Sequence, residues 1–469
     1  MVPGRNPGVD HWCPPPPAPP LSKAESGDAK GRESVAATLK DCQKMGSLET
    51  YQMNKESLKV WIMPTQVGSR TGKLFSRAVA SFRKSHPAVS LELRVLPWSN
   101  AWAELMRAFK RGDPPDVVQV GSSWMGTLAH LGHLAVVPEG MESRQVVAPW
   151  IDECVTVGNR RLGVPWVVEC SGLIARADIL DGQVGEEELG EWEGFLSFCR
   201  SLGEKSNKQE IDPRRPLPLG ITCRPEPVTL HNLAPWLMTG GWNLGALLAS
   251  QSPQLLSHPS SRPGLECLGE LLRVNRTDED SGAIQPYRLS MDFYQEGRFA
   301  FLIGNPWMIV RNMVDPTASV ESRWPVTFLP IPAGPAGPAT RGGGSVLAVP
   351  SRSKKQELAW KLVRHMCSAS FMDIWCQNSG DLPAHVAGFW NRHSDHPELA
   401  RMRKALEAAT NYPAHPMWTT IERVLATGLS DILWSLLAGE SLDEHGMALA
   451  ATVDEEIQSI LRIGWDRAT

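Results

Sequence analysis

The chain has 469 residues, a formal net charge of −4 and a hydrophobic fraction of 42%, room for two or three ordinary globular domains. Its 47 basic and 51 acidic residues are well mixed, and no basic stripe interleaved with aromatics appears, which excludes nucleic acid from the expected partners. The most apolar runs, at 117–120, 299–303 and 346–349, fall far short of the roughly eighteen residues that a membrane helix needs.

Residues 1–56 differ from the rest. The stretch 14–20 is nearly all proline, and 23–53 is polar with no sustained apolar pattern; such a segment is expected to be a disordered tail. It lacks the basic start and apolar core of a signal peptide. Neither Cys13 nor Cys42 follows the small and apolar residues of a lipoprotein cleavage site. His11 and Cys13 are read as accidents of the tail, not as metal ligands.

From Leu58 onward the pattern turns regular. Leu58, Val60 and Ile62 alternate with Lys59, Trp61 and Met63 as in a pleated strand. Leu74, Phe75, Ala78, Val79 and Phe82 recur at helical spacing until His86-Pro87. Val89, Leu91, Leu93 and Val95 alternate again, and Trp102, Leu105, Met106 and Phe109 predict a helix face closed by Gly112. Pro114-Pro115 then leads into a buried strand at 117–120. Strands alternating with helices predict an α/β domain with a mostly parallel sheet. Ligands of such sheets sit beyond the carboxyl ends of the strands, where Gly121-Ser122-Ser123-Trp124 lies. Further on, a strand is expected over 161–166 leading into Leu173-Ile174, helices at 177–180, 188–202 and 229–238, and strands at 220–222, 299–303 and 346–349. Residues 330–344, rich in Pro and Gly, read as a long surface connection. The remainder is helical, including 356–368 and 431–437. No internal repeat appears.

Tryptophan is in excess, with 18 Trp against 11 Phe and 4 Tyr. Most serve as core, but indole faces also stack on the apolar faces of sugar rings, and the composition leans towards carbohydrate. Nine cysteines without a C-x-x-C pair give no zinc or thioredoxin-like motif and fit a reducing compartment more easily than an oxidising one. Paired acids at Asp152-Glu153 and 278–280 are expected to be solvated. His130 and His133 lack a third ligand, so no metal and no cofactor is expected. No Ser-His-Asp arrangement, phosphate loop or G-x-G-x-x-G is present.

Taken in order, these landmarks resemble family 1 of the extracellular solute-binding proteins, the sugar-capturing components of bacterial ABC importers. The matching elements are Leu58-Lys59-Val60-Trp61, Phe82 to Pro87, Gly112-Asp113-Pro114-Pro115-Asp116, Leu131-Gly132-His133-Leu134 and Gly163-Val164-Pro165-Trp166. They continue with Phe293 to Gly297, Gly304-Asn305-Pro306-Trp307, Gly342-Gly343-Gly344-Ser345 and Ser379-Gly380-Asp381-Leu382-Pro383-Ala384. The resemblance implies a two-lobed, type II periplasmic-binding-protein-like α/β fold, with mixed, mostly parallel sheets flanked by helices. One lobe would hold 57–165 and 340–385, the other 166–339 and 386–469. The chain would cross between them near Pro165, within 333–343 and within 383–390. The lobes would close like a hinge over a ligand, and the closed, monomeric form would be read by ABC permease subunits.

The resemblance also implies where a sugar would bind. Trp124, Trp166, Trp307 and one of Trp236 and Trp242 would offer indole faces, and Glu169 would accept hydroxyl hydrogen bonds. Gly343, Gly344 and Ser345 would offer backbone N–H groups and a hydroxyl from a flexible joint. Asp116 is expected to be structural. The implied role is non-catalytic carbohydrate capture outside the cytoplasm, although the sequence carries no export signal. A sensor reporting to a regulator is the alternative, and a thiol enzyme using Cys170 beside Glu169 a more distant one. Arg70, Arg176, Arg224 and Arg341 are the cations that a phosphorylated ligand would require.

Overall fold

The structure is a computed structural model. It describes residues 56–64, 70–141, 145–206, 212–250, 253–275, 293–314, 322–386 and 388–465, all within the compact unit Lys55–Thr469. Residues 1–55 of the expected N-terminal tail and the acids at 278–280 lie outside the described residues, while Glu56, expected as the end of that tail, opens the first strand.

The strands, in chain order, are β1 (Glu56–Ile62), β2 (Val89–Val95), β3 (Val117–Gly121), β4 (Thr156–Val157), β5 (Arg160–Arg161), β6 (Val164–Cys170), β7 (Gly172–Arg176), β8 (Leu217–Gly220), β9 (Phe299–Gly304), β10 (Val326–Leu329), β11 (Thr340–Ala348), β12 (Leu382–Pro383) and β13 (Ala409–Thr410). They build a seven-stranded sheet in the order β12-β6-β11-β3-β1-β2, with β13 added to β11, and a four-stranded sheet in the order β10-β7-β9-β8. In the larger sheet β2, β1 and β3 run parallel, as strands joined by crossover helices must. β11 enters antiparallel between β3 and β6.

The opening strand-helix alternation holds with adjustments. Leu58, Val60 and Ile62 are fully buried beneath Leu74 and Phe75. The helix expected over 74–82 is two helices, Thr71–Ala78 and Ala80–Ser85, because Val79 leaves helical geometry between them (φ −87°, ψ 6°). The helix Trp98–Arg111 ends at Gly112, whose φ of 73° lets Asp113 N–H donate to the Ala108 carbonyl (3.1 Å). The helix expected over 188–202 is likewise divided into Glu186–Leu189 and Trp192–Lys205, since Glu191 is extended and bridges to Ala333.

The reading of 330–344 as a surface connection is corrected. Ile331 and Ala333 are buried, and β11 starts at Thr340, so Gly342, Gly343 and Gly344 lie inside a paired strand. Their small size reflects close neighbours rather than a free loop. The passage from the larger to the smaller sheet is short: Ser171 alone separates β6 from β7, and its N–H donates to the Arg341 carbonyl (3.1 Å).

Candidate ligand site at the strand crossing

Side chains on a strand alternate between faces, and β6 shows it plainly. Trp166, Val168 and Cys170 are buried in the core of the larger sheet. Val167 and Glu169 face the other way and are less covered. Glu169 sits opposite Gly343 in the register. Arg341, two residues before Gly343, shares its face, and its guanidinium folds over the glycine to reach Glu169 Oε1 (2.7 Å). A Cβ at Gly343 would stand 2.2 Å from that guanidinium, so the glycine makes the ion pair possible.

The pair has an open side. The Glu169 side chain is 35% exposed, that of Arg341 only 7%. Asn305, at the end of β9, donates its Nδ2 to Glu169 Oε2 (3.0 Å) and accepts the Trp307 N–H on its Oδ1 (3.3 Å). Burial by itself would raise the Glu169 carboxyl. The Arg341 charge and hydrogen bond outweigh it, with His231 and Asn305 assisting, and hold the group below its ordinary 4.5. A carboxylate has about four lone-pair directions. Two are filled, which leaves Glu169 able to accept hydroxyl donors from the open side.

A second polar layer comes from three further elements. His231, on the helix Pro227–Thr239, meets Glu422 Oε1 through Nε2 (3.0 Å), and the Trp418 indole N–H donates to the same oxygen (3.3 Å). The Tyr412 ring lies between Trp418 (4.7 Å between centroids), His231 (5.6 Å) and the Arg341 guanidinium (5.8 Å). Asp381 accepts the Trp375 indole N–H (2.9 Å), and burial, with the nearby Glu169 charge, pushes its carboxyl up.

At the carboxyl end of β3 the Trp124 indole folds back over Gly121 and meets the edges of Trp98 (5.8 Å) and Trp102 (5.4 Å). Trp98 is 44% exposed. Gly121 pairs with Ser345 on β11, so this indole group begins beside the glycine-rich part of the crossing strand.

The structure thus gathers Trp124, Glu169, Trp307, Gly343, Gly344 and Ser345 about one crossing and leaves three expected residues elsewhere. Trp166 is on the core face of β6, its Nε1 donating to the Met366 carbonyl (3.2 Å). Trp236 is 0% exposed against Phe195, and Trp242 is buried with its Nε1 on the Leu255 carbonyl (2.7 Å). No face of these three is free to stack on a ligand. Ser345 is buried and its hydroxyl accepts from Gln119 (2.9 Å). Gly344 is no loose joint either: its φ is 145°, and a Cβ there would stand 2.1 Å from the Val167 carbonyl oxygen.

Sequence reasoning missed Asn305 as a partner of Glu169, and missed His231, Tyr412 and Glu422 altogether. His231 had a signal, as the one ionisable side chain on the helix Pro227–Thr239, which also carries Trp236. Five helical positions separate the two by about 140° around the axis, so the helix offers one or the other.

Cys170 is fully buried, and burial together with Glu169 pushes its thiol up to about 12. It is protonated and covered, which removes the nucleophile of the thiol-enzyme alternative. His133 stacks on Phe109 (4.0 Å). Asp116 is structural as expected, accepting the Lys59 backbone N–H and the Ser353 hydroxyl.

The family model of the bacterial extracellular solute-binding proteins matches residues 67–371. The chain belongs to that family. This solute-binding chain is also 19% identical over 379 residues to a putative binding protein of Brucella abortus, covering 78% of the chain and 86% of the relative. Among solved structures, it is similar to a solute-binding protein of Thermotoga lettingae bound with α-D-tagatose, at a TM-score of 0.67 and 20% identity over 86% of this chain and 100% of that one. The GacH receptor of Streptomyces glaucescens, solved free and with acarbose, superposes with a TM-score of 0.68 and 17% identity over 87% of this chain and 99% of that one. The fold of this solute-binding chain is therefore the two-lobed one of those proteins. Among its described residues no helix is long and apolar enough to cross a membrane.

Proposed function

We propose that this chain is a carbohydrate-capturing protein of an ABC importer. The sugar lies at the strand crossing, with Glu169 accepting its hydroxyls and an indole from Trp124 or Trp307 against a ring face. The observation that carries this reading is the half-exposed Glu169 carboxylate, fixed from behind by Arg341 and Asn305 with lone pairs to spare. A preorganised acceptor of that kind binds hydroxyls without having to be ordered first. The T. lettingae protein is described as bound with tagatose and the S. glaucescens receptor with acarbose, which supports the same ligand class here. Closure of the two lobes over the sugar is the form a membrane permease would read.

The cysteines do not oppose a site of action outside the cytoplasm. The seven among the described residues are buried, and burial raises the thiols of Cys154, Cys170 and Cys223 to about 12. Covered, protonated thiols resist oxidation.

Calorimetric titration of the full chain with neutral mono- and oligosaccharides tests the proposal. One-to-one binding is expected, weakened at least tenfold in Glu169→Gln. Undiminished affinity in that variant would remove Glu169 from the site.

A further inference from the structure

We infer that the Tyr412 hydroxyl is a ligand-contacting group at this site and that the ligand it helps select is an uncharged polyhydroxyl compound rather than a phosphorylated one. The inference rests on the reading just given and adds a specificity-determining residue and a ligand charge class to it.

The first observation is an orphan. Tyr412 is 8% exposed, and its Oη, buried, has no hydrogen-bond partner. A buried hydroxyl left unpaired is costly, so native proteins supply it a partner. The same is true of Arg341 Nε in the same cluster, which is also buried and unpaired. The phenol lies in the fields of Arg341, Glu422 and Glu169, and its ring is held by Trp418 and His231. Its position is therefore fixed while its polar atom is unspent. The Arg341 guanidinium, 5.8 Å from its ring, is the group that pairs with Glu169, whose side chain is 35% exposed, so one residue separates the phenol from the open side of the site. A ligand oxygen that accepts from Tyr412 while its own hydroxyl donates to Glu169 satisfies both protein groups at once.

The second observation is the charge balance. Glu169, Glu422 and Asp381 bring three carboxyl groups to the crossing, against the Arg341 guanidinium and His231. Arg341 is already paired with Glu169. The other cations considered for an anionic ligand are committed elsewhere. Arg176 is buried, donating to the Pro213 and Gly297 carbonyls and paired with Asp178. Arg224 pairs with Glu226 (3.1 Å), and Arg70 is engaged as well. A phosphate would meet the Glu169, Glu422 and Asp381 carboxyl groups beside an Arg341 charge already matched by Glu169, whereas sugar hydroxyls can donate to Glu169 and accept from Tyr412 and the Arg341 Nε–H.

The test compares Tyr412→Phe with the wild-type chain in two ways. Without ligand, thermal unfolding should show Tyr412→Phe at least as stable as wild type, because the substitution removes an unpaired polar atom and keeps the ring. A fall of several degrees would mean that the hydroxyl is satisfied inside the protein and would overturn the inference without touching the carbohydrate reading. With ligand, calorimetry against D-tagatose, maltose, maltotriose and glucose 6-phosphate should show a neutral sugar bound by wild type and bound roughly ten- to a hundredfold more weakly by Tyr412→Phe. Equal affinities in the two proteins, or glucose 6-phosphate bound more tightly than every neutral sugar, would overturn it.

Discussion

A methyl group at Gly343 would stand 2.2 Å from the Arg341 guanidinium, so the smallest possible substitution should be felt at the ion pair. Gly343→Ala is expected to turn the Arg341 guanidinium away from Glu169 and so to weaken sugar binding severalfold, with a smaller loss of stability in urea unfolding because the group displaced is the end of a flexible side chain. A variant with wild-type stability and affinity would contradict the packing described. The pair also sets a pH dependence. Because Glu169 is held below 4.5 in the folded state, its contribution is present above the unfolded value and is lost as pH falls through the folded one. Acid titration of stability should therefore be shallower below pH 4.5 in Glu169→Gln than in wild type. At this scale part of the proposed site was legible in the sequence. Glu169 and the glycines stand where the family pattern places them. The strand period could also have shown that Trp166, three residues from Glu169, faces the opposite way. Tyr412 was not legible, since nothing local marks one aromatic residue as lacking a partner for its hydroxyl.

Among the elements, three His-Pro steps start helical segments in the same way. The ring Nδ1 of His258, His396 and His415 accepts the backbone N–H two residues on, at 3.2, 3.3 and 3.1 Å. An imidazole can do this only while that nitrogen is unprotonated. His415, ahead of the helix Trp418–Leu437, is held below its ordinary 6.5 by burial first and by His130 second. A lowered folded value means that the unfolded chain takes up the proton first, so stability falls as pH drops below about 6.5. His415→Asn, which keeps an acceptor at the cap and removes the titration, should flatten the decline of Tm between pH 8 and pH 5.5; parallel curves would show that His415 does not report on folding. The outlines of most strands and helices followed from periodicity and from stops such as His86-Pro87 and Gly112. What periodicity could not show was β11, because a Pro- and Gly-rich stretch has the composition of a loop. Here the glycines answer to Trp150, Arg341 and the β6 backbone pressed against them.

At the scale of the molecule, the helix Met125–His130, which follows β3 of the larger sheet, meets the segment leading into the helix Trp418–Leu437. A Cβ at Gly126 would lie 2.5 Å from the Ala414 carbonyl carbon, while Thr127 and Thr419 approach to 3.5 Å. The atoms met are backbone and cannot turn aside, so Gly126→Ala should push the helix and this segment apart. A loss of stability of about 1–3 kcal/mol in urea unfolding is expected, the usual cost of overfilling a packed site; unchanged stability would contradict the close approach described. The buried thiols give a second whole-molecule prediction. In a Cys13→Ser, Cys42→Ser chain, an aromatic disulfide reagent should label essentially no thiol in the native state and seven in urea; rapid native labelling would contradict their burial.

The measurement that bears most directly on the account is calorimetric titration of the full chain and Glu169→Gln with neutral sugars. Saturable one-to-one binding of a neutral sugar by the wild-type chain, lost at least tenfold in Glu169→Gln, is the predicted result. Binding that survives the substitution undiminished would contradict the placement of the ligand at the Glu169–Arg341 crossing.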